Sequence, residues 1–392
     1  MRARVAIALM AVALAGCRVV PKVETPPAPV PANALSAGVK LGPSIASLGM
    51  RGADAAAALA SFRESCPQLL SRTDASGLTT GSQWEPACTA ARGWGQGQTA
   101  GDAASFFDRY FETARVGEGS AFATGYYEPD IAGSRAHIPG YDVPVYAMPA
   151  DLVRGWPDDI PQSERTGRAP LGRYDASGRF VPYYERAEIE AGALANRGLE
   201  IAWAHDPVEF FFLQIQGSGR LVAPDGSVMR IGYAGQNGRE YAGIGALMKQ
   251  RGLIGPGTEF ATSMQGIMGY LRAHPDEGRA IMNENKSWIF FKELKGDGPL
   301  GALGVPVRRE SSVATDPMFV PLGAPVWLDM DRAEADGLWI AQDTGGAIKG
   351  ANRFDTFWGA GADARTIAGG MSARGTALIL LPKGTVARLT NK

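Results

Sequence analysis

The sequence predicts a mainly β protein with α-helices, built as β-barrels with inserted helices rather than as a doubly wound α/β sheet. Glycine and proline are frequent, with 51 and 26 residues, and both favour turns and short strands over long helices. From residue 121 onward, short apolar runs are separated by turn clusters such as Ala223-Pro224-Asp225-Gly226. These runs do not alternate regularly with helical patterns, which argues against a doubly wound sheet.

The composition is that of an ordinary soluble globular protein, with 45% hydrophobic and 20% charged residues. The 392 residues suggest two or three domains, since one domain usually takes about 100–200 residues. Lysine and arginine total 39 and aspartate and glutamate total 40, which leaves a net charge of −1. A nucleic-acid partner, which would require a basic face, is therefore not expected.

Motifs for metals, nucleotides and serine nucleophiles are missing from the sequence. The three histidines, His137, His205 and His274, lie far apart, and there is no H-E-x-x-H or C-x-x-C pattern. Neither a Walker motif nor a G-x-S-x-G elbow occurs. We therefore expect neither a metal site nor another cofactor.

Residues 1–16 have the form of a secretory signal peptide, because a short basic start precedes an apolar run that is too short to span a bilayer. The run ends in Leu14-Ala15-Gly16-Cys17, which resembles the lipobox of bacterial lipoproteins. That resemblance implies lipidation of Cys17. Arg18 stands where an aspartate would retain such a protein at the inner membrane, so we expect an outer-membrane anchor facing the periplasm. An ordinary cleaved signal followed by a chance cysteine is the alternative.

Residues 17–45 are expected to form the lipid anchor and an extended tether. Prolines at positions 21, 26, 27, 29 and 31 favour a semi-rigid chain. No other stretch approaches 18 consecutive apolar residues, so acyl chains on Cys17 would be the only anchor.

Cys66 and Cys88 are the two cysteines that remain, and an even pair in an exported protein indicates a disulfide. The closed segment spans about 22 residues, for which the loop-entropy estimate is about 3 kcal/mol. Two buried free thiols are the alternative.

The spacing of apolar residues along the chain predicts where helices and strands lie. Helical stripes are predicted over residues 53–66, 102–115, 185–194, 239–250 and 262–273. Strands are predicted over residues 122–127, 143–146, 210–215, 288–291, 326–328, 338–342 and 377–381.

The densest chemical cluster is at the C-terminal end of the chain. Asp343 follows an apolar run and precedes Gly345 and Gly346, which allow a tight turn and a close approach of ligand to backbone. Asp355 follows twelve residues later, flanked by Phe354, Phe357 and Trp358. Desolvation by such neighbours and a second carboxylate would both raise its pKa, as a protonated acid near neutral pH requires. A turn or capping role is the alternative.

Three further clusters carry polar groups. Asp316 ends the run 311–316 before a Pro-Leu-Gly turn, and the simplest interpretation is a turn aspartate. Residues 123–129 and 210–219 place hydrogen-bonding groups beside aromatics at the ends of apolar runs, a combination that suits a sugar. Core aromatics followed by a turn are the alternative for both.

Together these segments resemble the membrane-bound lytic murein transglycosylase A family. The motifs that carry the resemblance are T-G-Y-Y-E-P at 124–129, Y-D-V-P-V-Y at 141–146, R-A-E-I at 186–189, Q-I-Q-G-S-G at 214–219, N-x-S-W-I-F-F-K at 285–292, S-V-A-T-D with P-L-G at 312–323, and D-T-G-G-A-I-K-G-x-x-R-F-D at 343–355. They occur in order over nearly all of the chain after the tether.

The resemblance implies a two-domain fold with a substrate groove between the domains. A double-psi β-barrel domain with N-terminal helices would take residues 46–127 and 300–392. A smaller β-barrel-like domain would be inserted as residues 128–299.

The resemblance also implies the site residues. The catalytic aspartates would be Asp355, Asp343 and Asp316, with Asp355 as the acid and the other two orienting it. Contacts to the glycan would come from Thr124, Tyr126, Gln214, Gln216, Gly217 and Ser218. Lys349 would either bind a substrate oxygen or cap its turn.

The implied reaction cleaves the β-1,4 bond between N-acetylmuramic acid and N-acetylglucosamine in peptidoglycan glycan strands. The muramic 6-hydroxyl attacks its own anomeric carbon and leaves a 1,6-anhydro ring, so one carboxyl suffices where ordinary glycosidases need two. A two-carboxylate hydrolase using Glu128 and a non-catalytic peptidoglycan-binding lipoprotein are the alternatives. Complexes of cell-wall synthesis or division are candidate partners.

Overall fold

The computed structural model describes residues 31–95, 98–296 and 298–391. The expected signal peptide, Cys17 and most of the proline-rich tether lie outside these residues. Residues 33–45 were expected in the tether but are folded, because Ala34 is buried and β1 joins the large sheet. Among the described residues, none of the helices has both the length and the apolar character needed to cross a membrane.

The helices are short apart from α2 and occur mainly before the first long strand and within the central segment. Their bounds are α1 Ala34–Ala37, α2 Gly52–Ser71, α3 Gly81–Arg92, α4 Ala100–Tyr110, α5 Arg186–Glu188, α6 Pro207–Gln216, α7 Ile244–Gln250, α8 Met264–Ala273, α9 Pro275–Asn283, α10 Ala362–Gly370 and α11 Thr385–Thr390. A π-helical turn, Ile189–Ala193, continues α5, and 3-10 turns occupy Ile45–Leu48 and Gln162–Glu164.

The strands divide into three sheets. Their bounds are β1 Val39–Leu41, β2 Phe111–Val116, β3 Ser120–Glu128, β4 Asp130–Ser134, β5 Val143–Tyr146, β6 Val153–Arg154, β7 Leu171–Tyr174, β8 Phe180–Pro182, β9 Glu200–Ala204, β10 Ser218–Val222, β11 Val228–Gln236, β12 Ile289–Glu293, β13 Ser312–Thr315, β14 Pro325–Met330, β15 Gly337–Asp343, β16 Arg353–Ala360 and β17 Ser372–Pro382.

The largest sheet joins the N-terminal and C-terminal parts of the chain. Its eight strands run in the order β1-β2-β17-β14-β15-β13-β16-β3, and β3 also pairs with β17. That extra pairing closes β17, β14, β15, β13, β16 and β3 into a ring. Helices α2, α3 and α4 share one hydrophobic core with the strands of this sheet.

The central segment builds a second sheet of its own, in the order β12-β11-β10-β4-β9-β5, and β6, β7 and β8 form a third. Since β3 ends at Glu128 and β4 begins at Asp130, the chain changes sheets at Pro129. The second sheet has a separate hydrophobic core, and α6 to α9 form another. The mixed β and α class predicted from the sequence is therefore confirmed.

One predicted strand is wrong. Residues 210–215 lie within helix α6, which begins after the capping residue Asp206 with Pro207 in its first turn and ends at Gly217 in the left-handed conformation. Proline at the start and glycine after the end are helix signals, and they outweigh the β preference of three consecutive phenylalanines. The other predicted strands are all found.

The predicted helices are present, with altered ends. Helix α4 stops at Tyr110, so the C-terminal part of the predicted helix 102–115 is strand β2. Helix α7 begins only at Ile244, five residues after the predicted start, whereas α2 extends to Ser71, beyond residue 66.

The predicted disulfide is confirmed. Cys66 on α2 and Cys88 on α3 are bonded, with a Cα–Cα distance of 5.5 Å. The bond joins two of the helices that share the hydrophobic core of the large sheet.

Candidate active site

The three aspartates occupy the ends of neighbouring strands in the closed ring. Asp343 is the last residue of β15, Asp355 lies near the start of β16, and Asp316 directly follows β13. Because β13 runs between β15 and β16, the fold brings together three residues that are up to 39 positions apart in sequence.

Thr124 holds the Asp355 carboxylate. The two residues are register partners on the parallel strands β3 and β16. The Thr124 Oγ1 hydroxyl donates to Asp355 Oδ1 at 2.6 Å, and Arg353 Nη2 donates to the same hydroxyl oxygen at 2.9 Å. The guanidinium therefore orients the hydroxyl so that its proton faces the carboxylate.

Tyr126 holds the Asp343 carboxylate, as Thr124 holds that of Asp355. Its phenol donates to Asp343 Oδ2 at 3.1 Å, while the backbone N–H groups of Ala302 and Thr344 donate to Oδ1, each at 2.8 Å. Asp343 is therefore fixed by three donors. Tyr126 was expected to bind glycan, but it is buried and its hydroxyl is engaged by the carboxylate.

Both carboxyl groups have raised pKa values. Burial raises the pKa of Asp355 to about 6; the Thr124 hydrogen bond and the Arg353 charge oppose the rise, and the Asp343 charge adds to it. Burial likewise raises the pKa of Asp343 to about 6, although its three donors lower it. Desolvation outweighs the donors in each case because it penalises the charged form directly. Each carboxyl group therefore keeps its proton up to a higher pH than an ordinary aspartate does.

Asp316 holds a loop rather than the reacting groups. Its Oδ1 accepts from the N–H of Met318 at 3.0 Å and its Oδ2 accepts from the N–H of Gly350 at 2.8 Å. Gly350 closes the loop that begins after Asp343, so Asp316 ties that loop to β13. Lys349 is exposed on the same loop.

The glutamines of the second predicted binding cluster have hydrogen-bond partners other than the aspartates. Gln214 is buried in α6; its Oε1 accepts from Arg186 Nη1 at 2.6 Å and its amide donates to the Ile289 carbonyl. Gln216 accepts from the Tyr127 backbone N–H at 2.9 Å. Gly217 ends the helix, and Ser218 begins β10 and is buried. The Gln216 side chain therefore supports strand β3, which carries Thr124, whereas Gln214 holds Arg186 and the start of β12.

The aromatic surroundings of Asp355 differ in part from the prediction. Side chains alternate between the faces of a strand, so Phe357 shares the face of Asp355 while Phe354 and Trp358 point away. Those two belong to the large core, and Phe357 packs against Tyr126 with ring centroids 5.0 Å apart. Phe357 is therefore the flanking aromatic that contributes to the site.

Two residues of the site have no counterpart in the sequence predictions. Arg353 was not singled out, although it stands two residues before Asp355. Tyr241 comes from the central segment and is 38% exposed. Partial desolvation and the Asp355 charge raise its pKa, and the Arg353 charge opposes the rise. No local signal marks Tyr241, because only the contact between distant segments brings it beside Asp355.

Comparisons with known protein families match two separate parts of the chain. Residues 122–292 match a family described as the MltA specific insert domain, and residues 311–381 match the 3D domain. The matched regions correspond to the central segment with strand β3, and to the strands that carry the three aspartates. A solved structure of MltA from Neisseria gonorrhoeae is 36% identical, over 87% of this chain and 90% of that one, with a TM-score of 0.69.

The chain belongs to the membrane-bound lytic murein transglycosylase A family. Another family member, the membrane-bound lytic murein transglycosylase A of Vibrio cholerae, is 28% identical over 285 residues, which is 69% of each chain. The E. coli member has been solved with bound chitohexaose; it is 26% identical over 88% of this chain and 94% of that one, with a TM-score of 0.63. The family assignment predicted from the motifs is thereby confirmed.

Proposed function

We propose that this protein is a peptidoglycan lytic transglycosylase that cleaves the β-1,4 bond between N-acetylmuramic acid and N-acetylglucosamine and leaves 1,6-anhydromuramic ends. Family membership supports lytic transglycosylase activity. The observation that carries the mechanism is Asp355, a half-buried carboxyl group with a pKa of about 6 that is oriented by Thr124. A glycan substrate agrees with the chitohexaose that the E. coli relative binds.

In the first step, the protonated Asp355 carboxyl donates its proton to the glycosidic oxygen. The bond from that oxygen to the muramic anomeric carbon breaks, and the N-acetylglucosamine hydroxyl leaves. General acid catalysis of this kind contributes about 10²–10⁴-fold to a rate. The raised pKa matters because an ordinary aspartate, ionised above about pH 4, would rarely carry the proton.

In the second step, the ionised Asp355 accepts the proton of the muramic 6-hydroxyl as that oxygen bonds to the anomeric carbon. The hydroxyl of the substrate is the nucleophile, so no second carboxylate is required. The proton returns to Asp355, and the acid is restored without a net exchange with solvent.

Asp343 and Asp316 act through other groups. The charge of Asp343 raises the pKa of Asp355, and Tyr126 fixes Asp343 from the same strand that carries Thr124. Asp316 maintains the loop between β15 and β16 through Gly350. We propose that both are positioning residues and that Asp355 alone transfers the proton.

A hydrolase that pairs Asp355 with Glu128 is disfavoured by the position of Glu128. Its side chain is buried and forms an ion pair with Arg230 at 2.8 Å. A carboxylate held in this way is poorly placed to activate water or to attack a sugar.

Mass analysis of the products from purified sacculi tests the proposal. Anhydromuramic ends are expected, and the sum of the fragment masses should equal that of the strand. Reducing ends, which are 18 mass units heavier because water is added, would instead establish a hydrolase. Tight binding without any cleavage would establish a binding protein.

We further propose that the protein is attached to the outer membrane by lipidation of Cys17 and acts on the periplasmic side. The sequence around Cys17 supports this attachment, and the relatives are described as membrane-bound.

A further inference from the structure

A cavity of about 730 Å³ lies where the second sheet meets the helices α6, α8 and α9. Its walls come from β5, the π-helical turn, the start of α6, α9 and Trp288. None of its lining residues belongs to the group around Asp343 and Asp355. The volume falls in the range of sites that bind small molecules, about 300–1,000 Å³.

Two buried polar atoms of residues that line this cavity have no hydrogen-bond partner among the residues that the structure describes. They are the indole N–H of Trp288, whose side chain is 3% exposed, and the Oδ1 atom of Asn283. Unpaired buried donors and acceptors are rare and costly in native proteins. One donor and one acceptor together complement an amide, which offers a carbonyl oxygen and an N–H.

Charged groups of both signs line the cavity. Glu190 lies 3.9 Å from Arg186, whose donors are used by Asn285, Ser287 and Gln214. Arg279 is exposed, and within the described residues no hydrogen bond holds its guanidinium; its charge acts on Glu190. Two other lining residues, Asp206 and Arg272, form an ion pair with an oxygen–nitrogen distance of 2.6 Å. Glu190 also accepts a hydrogen bond from the side chain of Asn283. Of the Glu190, Arg279, Asp206 and Arg272 side chains, Glu190 and Arg279 are therefore the two that are not held in an ion pair shorter than 3.9 Å.

We propose that this cavity binds the stem peptide of peptidoglycan, with Arg279 receiving a carboxylate, Glu190 receiving an amine, and Trp288 and Asn283 pairing with a peptide amide. The proposal rests on the proposed function, because peptidoglycan supplies this peptide beside the glycan that Asp355 would cleave. Guanidinium–carboxylate pairs are strong and directional. A neutral N-acetylated sugar would offer no opposite charge to Arg279 or to Glu190, and the buried aromatic rings of the cavity offer no open face for stacking.

A direct binding measurement tests the site. The full folded chain carrying Asp355→Asn is titrated calorimetrically with a synthetic stem tetrapeptide that has a free side-chain amine and a free C-terminal carboxylate. Arg279→Gln should weaken binding at least about tenfold, as expected for the loss of a charge-assisted pair. Arg92→Gln, which removes an exposed arginine from α3 outside the cavity, should leave the affinity unchanged.

A modified peptide isolates the role of Glu190. Acetylation of the amine should weaken binding to the unaltered cavity but not to Glu190→Gln, where the charge that receives the amine is already absent. Equal affinity of all variants, no binding of the peptide, or loss of chitotriose binding in Arg279→Gln would each overturn the proposal.

Activity on two substrates separates this proposal from the proposed function. Arg279→Gln should raise KM for sacculi that carry stem peptides and leave unchanged the cleavage of glycan strands stripped of peptides. An equal effect on both substrates would overturn the peptide site. If the unaltered protein releases anhydro ends from neither substrate, the proposed function is wrong. The calorimetric titration with the peptide still shows whether the cavity binds a stem peptide.

Discussion

Asp343 and Asp355 flank the same residue, Ala314, which is the register partner of each on opposite edges of strand β13. Neighbouring strands are about 4.8 Å apart, so the two aspartates are separated by roughly 10 Å along the sheet. At that distance in a half-buried site, where water screens charges less than in bulk solution, the charge of Asp343 still disfavours ionisation of Asp355. The strand order therefore couples the proposed acid to a second carboxyl group.

Replacement of Asp355 by asparagine should lower the rate of anhydromuropeptide release by at least about a hundredfold, since asparagine cannot carry the proton. The measurement is product release from purified sacculi, with circular dichroism to establish that the fold is kept. Asp329→Asn, which alters an exposed aspartate on β14 of the same sheet, is the matched control and should retain full activity. A residual rate above about a hundredth in Asp355→Asn would refute the assignment of the acid.

The rate should fall as the pH rises through about 6, because the reaction starts from protonated Asp355. Thr124→Val removes the hydrogen bond that lowers the Asp355 pKa, so the alkaline limb of the pH–rate profile should move upward by about one unit. Thr124→Ser retains the hydroxyl and should restore the original profile. If the limb stays in place or moves downward in Thr124→Val, the proposed link between Thr124 and the acid is wrong.

The free energy of unfolding should depend on whether Asp355 is ionised. Its pKa is higher in the folded protein than its ordinary value of 3.8, so the folded state binds the proton more tightly. The free energy of unfolding therefore decreases as the pH rises from about 4 to about 6. Asp355→Asn avoids this loss and should be more stable than the unaltered protein at pH 7.5, by up to about 3 kcal/mol.

Urea unfolding at pH 4 and pH 7.5 provides the measurement for this stability difference. The gain in Asp355→Asn should shrink at pH 4, where the native carboxyl is protonated, while Asp329→Asn should show no comparable pH dependence. A gain of the same size at both values would count against a half-buried, ionisable Asp355.

Loss of the disulfide should destabilise the helices that flank the large sheet. Since Cys66 and Cys88 are 22 positions apart, their replacement by alanine should lower the free energy of unfolding by about 3 kcal/mol. Thermal unfolding of the double variant tests this, and peptide mapping without reductant should find the two cysteines linked. Two alkylatable thiols at these positions in the denatured protein would show that the bond does not form.

Attachment to the membrane should depend on Cys17, because its lipidation is the proposed anchor. Cys17→Ser should give a soluble or unprocessed protein after cell fractionation, with activity retained in the soluble form. The double variant Cys66→Ser/Cys88→Ser is a useful comparison, since it removes the two disulfide-bonded cysteines without touching the proposed anchor and should still sediment with the membrane. A Cys17→Ser protein that still sediments with outer membranes after a high-salt wash would rule out the lipid anchor.

Local sequence determined much of the secondary structure and the candidate acid. Asp343 and Asp355 could be found because a glycine turn and aromatic residues lie beside them in the chain. The proline and glycine that bound α6 were also visible, yet the strand predicted over 210–215 shows that a run of phenylalanines fits either a buried strand or a buried helix. Periodicity over six residues cannot separate the two.

The sequence by itself determined the family, the paired cysteines and the identity of the proposed acid, since each is written in neighbouring residues or in motif order. Only the tertiary structure decided what surrounds the acid. Thr124 reaches Asp355 across 231 positions, and Tyr126 reaches Asp343 across 217. Such contacts are set by backbone pairing between strands distant in the chain, and that pairing depends on closure of the whole ring. The raised pKa of Asp355 was therefore predictable from its neighbours in the chain, whereas its hydrogen bonds and the residues that desolvate it are decided by the fold.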